Sequence, residues 1–328
     1  EVNKKDFHLI DEILSDIFIN NEVKDFVINE MSLFLNGNNL RQLFYIWLGT
    51  GANGKSFLAK CLENSFGDYY TELPTESITG KEAKATQATP FLANGKGRRI
   101  VVYSEPEEGS KLNNSIMKKL TGGESVLYRE LYGDPRKYKP MFKPIILCNT
   151  NFELQQIRDK SIPRRLRYIN FKTKFVENPT FDFQRKRNED YMSEEFLEKI
   201  KGPFMWLLIN NYVKLKETNF KFNIPQIIIN EQLEFIDDND DIKIFLNEFY
   251  EATDNNKEYI SCKNLFEHYK SDCKLKGEQT KLREKIFKEL VMELYPYKDV
   301  YRFTDENGEK RKKRSIFTNI KFREEEEN

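Results

Sequence analysis

Histidine and cysteine are scarce in this chain of 328 residues, with only His8 and His268, and Cys61, Cys148, Cys262 and Cys273. Two imidazoles leave little from which to build a zinc site, whose ligands are Cys and His. The cysteines show no CxxC spacing and read as reduced core thiols of an intracellular protein, not as a disulfide framework. Long apolar runs are missing as well: the mean hydropathy is −0.70. No stretch stays apolar for the roughly 20 residues that a helix needs to span a bilayer. Net charge is absent too, with 53 Lys and Arg against 53 Asp and Glu. Nucleic-acid binding must therefore be judged from where the cations sit, not from their number. The chain begins at Glu1 and not at methionine, which reads as a segment cut from a longer protein.

What is present starts with Gly49-Thr50-Gly51-Ala52-Asn53-Gly54-Lys55-Ser56. An apolar run from Leu43 to Leu48 precedes it, as a buried strand would, and residues 57–62 follow at helical spacing. Glycines let successive backbone N–H groups turn inward around an anion, and the following helix points its positive end at the same place. In that setting Gly49, Gly51, Ala52, Asn53 and Gly54 cradle the phosphates of ATP. Lys55 reaches the β- and γ-phosphates, and the Ser56 hydroxyl holds Mg²⁺. The plain alternative is a chance glycine-rich turn, and the flanking strand and helix weigh against it.

The chain divides on its patterning into three parts. Residues 1–40 carry apolar positions at helical spacing (Phe7, Ile10, Ile13, Leu14, Ile17, then Val23, Phe26, Val27, Met31) and predict a small helical module. Residues 41–236 alternate strands and helices, as an α/β nucleotide-binding domain with a parallel sheet does. The acidic break Asp237-Asp238-Asn239-Asp240-Asp241 opens a third part, 237–328.

Within the second part, Ile100-Val101-Val102-Tyr103 predicts a short strand that releases Ser104-Glu105-Pro106-Glu107-Glu108. Carboxylates at the carboxyl end of a parallel strand sit where a metal-proximal acid and a water-polarising base are needed. Glu105 is the candidate for the first role, and Glu108, then Glu107, for the second. The strand at residues 144–148 delivers Asn149, whose neutral amide can bond a γ-phosphate or an attacking water. Arg164 and Arg165 cluster before a further strand and are candidates for an arginine finger offered to a neighbouring subunit. Residues 126–131 and 138–142 predict a hairpin whose tip mixes Tyr132 with Arg136, Lys137 and Lys139, a composition suited to single-stranded DNA. Solvated acidic loops, a basic strand edge and an ordinary surface hairpin are the structural alternatives.

These segments, in this order, resemble the superfamily 3 helicase domain of viral and phage primase-helicases, of the type in poxvirus-like large DNA viruses and phage P4. The resemblance rests on GTGANGKS at 49–56, GRRIVVYSEPEEG at 97–109, KKLTGGES with the YGDP turn at 118–135, PIILCNTN at 144–151 and IPRRLRYINF at 162–171. It implies a P-loop, AAA+-like core and ATP at the interfaces of a homo-hexameric ring. It also implies Mg²⁺, and single-stranded or forked DNA unwound 3′→5′ during replication. Lys118 and Lys119 fall in the motif before the channel hairpin, and Arg165, with Arg164 next, at the finger. A primase domain in the missing N-terminal region and a host-cytoplasmic location follow from the same resemblance. The acids are spaced Glu-Pro-Glu-Glu rather than side by side, which leaves the split of metal and base roles open.

The third part predicts helices at 242–250, 263–274 and 281–294, then two strand-like runs around a turn and the basic run Lys310 to Arg314. Three helices and a basic hairpin describe a winged helix, with Lys281, Arg283, Lys285, Lys312 and Lys313 as candidate DNA contacts. A packing domain with a solvated basic loop is the alternative. Two other functions remain at this stage: an ATP-assembled initiator that binds DNA without unwinding it, and a protein-remodelling ATPase.

Overall fold

The computed structural model describes residues 4–80, 89–107, 110–154, 161–255, 258–277, 280, 282–304 and 309–323. It divides into two compact units, Glu1–Ile236 and Asp237–Asn328. Among the described residues no helix is long and apolar enough to cross a membrane.

The first unit is organised by five strands: β1 (Phe44–Leu48), β2 (Tyr70–Leu73), β3 (Ile100–Tyr103), β4 (Lys143–Cys148) and β5 (Leu166–Asn170). They form one parallel sheet in the order β2-β3-β4-β1-β5. All four residues of β3 are buried, as are the first four of β1. A parallel sheet covered on both faces demands such unbroken apolar runs. Strand alternation divides them: Tyr45 and Trp47 enter one core while Phe44 and Ile46 enter the other.

The first face is covered by α1 (Lys4–Ile17), α2 (Asn21–Ser32), α3 (Lys55–Phe66) and the long helix Glu194–Glu217. Ile10, Ile13, Leu14 and Ile17 recur at helical spacing, so α1 lays an apolar stripe on the same core as Trp47. Asn20 caps α2 by accepting from the backbone N–H groups of Glu22 and Val23. The N-terminal helices expected as a module thus pack as a layer of the sheet unit. Between them and the sheet lies a buried charge cluster. Glu30, 1% exposed, meets Arg41 at 2.9 Å and Arg167 at 3.6 Å, and accepts a hydrogen bond from the Tyr45 hydroxyl at 2.9 Å. Burial raises the Glu30 pKa, and the two guanidinium groups oppose that rise.

The second unit has helices Asp241–Phe249, Cys262–Leu275 and Glu284–Val291, the first two capped by the side chains of Asp240 and Ser261. Its sheet pairs Tyr259–Ser261, Lys310–Thr318 and Tyr297–Thr304 in that order. Phe245, Leu265, Tyr269, Phe287 and Phe317 form its own core. Two expectations are corrected. The third helix begins at Glu284, with Arg283 as its cap residue, and the basic run Lys310–Arg314 is the first half of a strand and not a loop.

Candidate active site

The chain leaves β1 through a loop that demands unusual backbone angles. Gly51, Ala52 and Gly54 have φ of 91°, 49° and 89°, in the left-handed region where glycine is at ease and alanine is not. A Cβ on Gly49 would lie 2.8 Å from the Phe171 carbonyl oxygen and 2.0 Å from Asn53 Nδ2. The loop is therefore closed to larger residues at Gly49 by crowding and at Gly51 and Gly54 by conformation.

Lys55 opens α3 and is 5% exposed. Its ammonium donates to the Gly49 carbonyl, to Asn53 Oδ1 at 3.2 Å and to Asn149 Oδ1 at 3.2 Å. Burial lowers the Lys55 pKa, against the opposing pull of Cys148 and Glu105. The Cys148 thiol is itself pushed up to about 12 by burial, with Lys55 pulling the other way. Asn149 follows β4 directly; its amide donates to Glu105 Oε2 at 2.8 Å and its backbone N–H to Glu105 Oε1 at 3.3 Å. Glu105 stands two residues beyond β3. A lysine, an amide and a carboxylate from three adjacent strands thus meet at the strands' carboxyl ends, where open α/β sheets bind ligands. Ser56 is exposed in the first turn of α3, beside Lys55. Glu107 is exposed on the same loop as Glu105, whereas Glu108 lies outside the described residues.

The arginines go elsewhere. Arg164 and Arg165 precede β5, at the amino end of the sheet, so they do not join Lys55 within the chain. Arg165 is 8% exposed and donates to the Ser161 carbonyl at 3.0 Å and to Gln42 Oε1 at 3.3 Å. Arg164 is exposed and donates to the same Gln42 oxygen at 3.0 Å. Gln42 also donates to the Gly122 carbonyl at 3.2 Å. No local pattern marks Gln42, because its partners lie about 80 and 120 residues away in the chain.

The hairpin is shorter than its sequence suggests, pairing Val126–Tyr128 with Arg136–Tyr138. Tyr128 and Tyr138 pack edge to face at 5.4 Å in the second core, and the Tyr138 hydroxyl donates to the Leu92 carbonyl at 2.7 Å. That anchor holds out a tip on which Leu131 is 67% and Tyr132 100% exposed. Arg136, Lys137 and Lys139 are exposed along it, and Lys118 and Lys119 end the helix Asn114–Thr121 that leads into it. In the second unit Arg283, Lys285, Lys312 and Lys313 are all exposed, while Lys281 lies outside the described residues.

Residues 47–165 match a family described as a family of unknown function, DUF5906. The chain is 30% identical over 288 residues to "Putative helicase L207/L206" of Acanthamoeba polyphaga mimivirus, covering 83% of this chain and 30% of that protein. It is 27% identical over 278 residues to "Putative helicase 184R" of Invertebrate iridescent virus 6, covering 77% of this chain and 28% of that protein. These similarities fit the resemblance to superfamily 3 helicases of large DNA viruses. Among solved structures, this chain shares its fold with the C-terminal region of NrS-1, with a TM-score of 0.55 at 12% identity over 95% of this chain and 75% of that one. The chain spans about a third of the length of the curated relatives it matches.

Proposed function

We propose that this chain is the ATP-hydrolysing motor segment of a replicative DNA helicase, working in the host cytoplasm. The observation that carries the proposal is the junction of Lys55, Asn149 and Glu105 above a loop with three left-handed residues. The residues suit a triphosphate. Asn53 Nδ2 is buried without a partner beside Lys55, and the missing Cβ at Gly49 keeps the loop tight against it. In this P-loop reading Lys55 and the loop N–H groups hold the phosphates, while Ser56 and Glu105 hold Mg²⁺, which neutralises phosphate charge when bound. Asn149 orients Glu105 and the γ-phosphate side of the site, and Glu107 or Glu108 polarises water.

A homo-hexamer moving 3′→5′ along single-stranded DNA follows from the resemblance and is part of the proposal. The position of Arg164 and Arg165 supports completion of the site by a neighbouring copy, and exposure favours Arg164 over Arg165 for that reach. The hairpin with Lys118, Lys119, Tyr132, Arg136, Lys137 and Lys139 is the proposed strand contact in the ring. The order of helices, strand and ribbon in the second unit supports a winged-helix reading, with Arg283, Lys285, Lys312 and Lys313 toward DNA. The test is DNA-stimulated ATP hydrolysis and fork unwinding by the wild type and by Lys55→Ala. Both activities should vanish in the variant; a Lys55→Ala protein that still unwinds ends the proposal.

A further inference from the structure

We propose that one face of the ribbon in the second unit is a base-stacking platform for single-stranded nucleic acid, built from Tyr259, Tyr301 and Phe303. The three rings pack on one another, with centroids 5.7 Å apart for Tyr259 and Tyr301, 6.1 Å for Tyr259 and Phe303, and 5.8 Å for Tyr301 and Phe303. The planes of Tyr301 and Phe303 differ by only 20°. None of the three belongs to the hydrophobic core of the unit, and each is half-exposed. Aromatic rings clustered outside the core and still partly exposed leave apolar faces that a flat ligand can cover.

Register supplies the second observation. Tyr301 stands opposite Lys313, and Phe303 opposite Arg311. Directly paired residues share a face, so both cations flank the rings. Lys298 adds its ammonium 4.9 Å above the Tyr301 ring. The reverse face carries Arg302 opposite Lys312 and Val300 opposite Arg314, which are cations without rings. Only one face therefore combines flat aromatic surfaces with charges for a phosphate backbone. Such a combination recognises unpaired bases irrespective of sequence, because every base has a π-face. A duplex hides those faces in its own stack, so the platform discriminates single strands from duplex. This site is separate from the ATP site and needs neither nucleotide nor a ring.

The experiment uses the full chain without nucleotide and two probes of equal length: a 20-nucleotide oligothymidine and the corresponding abasic deoxyribose-phosphate strand. Tyr301→Leu combined with Phe303→Leu should weaken oligothymidine binding on the order of 10-fold or more. It should leave abasic-strand binding and the salt slope unchanged. Arg311→Ala with Lys313→Ala should weaken both probes and flatten the salt dependence by roughly one to two units of slope. Oligothymidine carrying 5-iodouracil, irradiated on the wild-type chain, should crosslink to Tyr301 or Phe303. Should the leucine variant fail to fold, Phe303→Trp replaces it, with indole fluorescence expected to be quenched by oligothymidine and not by the abasic strand. Equal losses on both probes, or crosslinks confined to the first unit, overturn the proposal. Lys55→Ala should retain this binding in full, so failure of the platform and failure of the ATPase reading are told apart.

Discussion

Asn149 offers the sharpest test of the site, because one amide serves both of its charged neighbours. Its Oδ1 accepts from Lys55 at 3.2 Å while its Nδ2 donates to Glu105 at 2.8 Å. Asn149→Leu keeps the volume and removes both bonds. A hydrogen bond to a charged group contributes about 1.5–3 kcal/mol, and a factor of ten in rate corresponds to about 1.4 kcal/mol. If the amide acts in the transition state, kcat for ATP hydrolysis should fall about 10- to 150-fold. Asn149 and Glu105 are exposed, so water replaces the lost partners at rest. Thermal stability and KM should therefore move little. Asn149→Asp keeps an acceptor for Lys55 but places a second carboxylate oxygen where a donor faced Glu105, and it should be the more damaging change. The assay is phosphate release at saturating single-stranded DNA across an ATP titration, run as a double-mutant cycle with Glu105→Gln. Coupling above about 0.5 kcal/mol is expected for residues in contact. A leucine variant within two-fold of wild type, or strict additivity with Glu105→Gln, would refute the assigned role.

Three further outcomes follow from the same structure. Gly49→Ala should abolish nucleotide binding, since its Cβ meets the Phe171 carbonyl oxygen at 2.8 Å; tight binding of a fluorescent ATP analogue by this variant would contradict the loop geometry. Glu30→Ala should destabilise the first unit by about 3–5 kcal/mol in denaturant titration, because it strands a buried Arg167, whereas Glu30→Gln should be milder. Lys143, 3% exposed, has its pKa lowered to about 7, chiefly by burial and also by Arg99. The unfolded lysine titrates near 10.4, so between about pH 7 and 10 the unfolded chain binds the extra proton and stability rises with pH. Lys143→Met should accordingly raise Tm most near pH 6.5, with the gain shrinking toward pH 9.5; a gain independent of pH would show that the ammonium is not penalised by burial.

Strands β1, β3 and β4 were readable because burial on both faces leaves continuous apolar runs in the sequence. The edge strand β2 was not: Tyr70 and Leu73 are buried but Glu72 is exposed between them, and four mixed residues carry no period. The strand at Lys310–Arg314 was hidden for a different reason. Five consecutive cations have low strand propensity, and only pairing with Tyr297–Thr304 holds them extended. The placement of Lys55, Ser56, Glu105 and Asn149 was legible because each follows a strand closely. The burial of Arg165 was not, since it depends on Gln42, a contact made only by the folded chain. The aromatic trio escaped notice likewise, because Tyr259 joins Tyr301 and Phe303 across a sheet and not along the sequence.

The Lys55 ammonium is stripped of most of its water by the fold itself, and three carbonyl-type oxygens stand in for that water. In the proposed P-loop reading an arriving phosphate would exchange one set of acceptors for another and would not have to dehydrate the cation. The penalty of dehydration falls on folding instead of on binding. A methionine at this position would leave the Gly49 carbonyl, Asn53 Oδ1 and Asn149 Oδ1 without their lysine donor, so the cation and its three acceptors are fitted to one another in the folded chain.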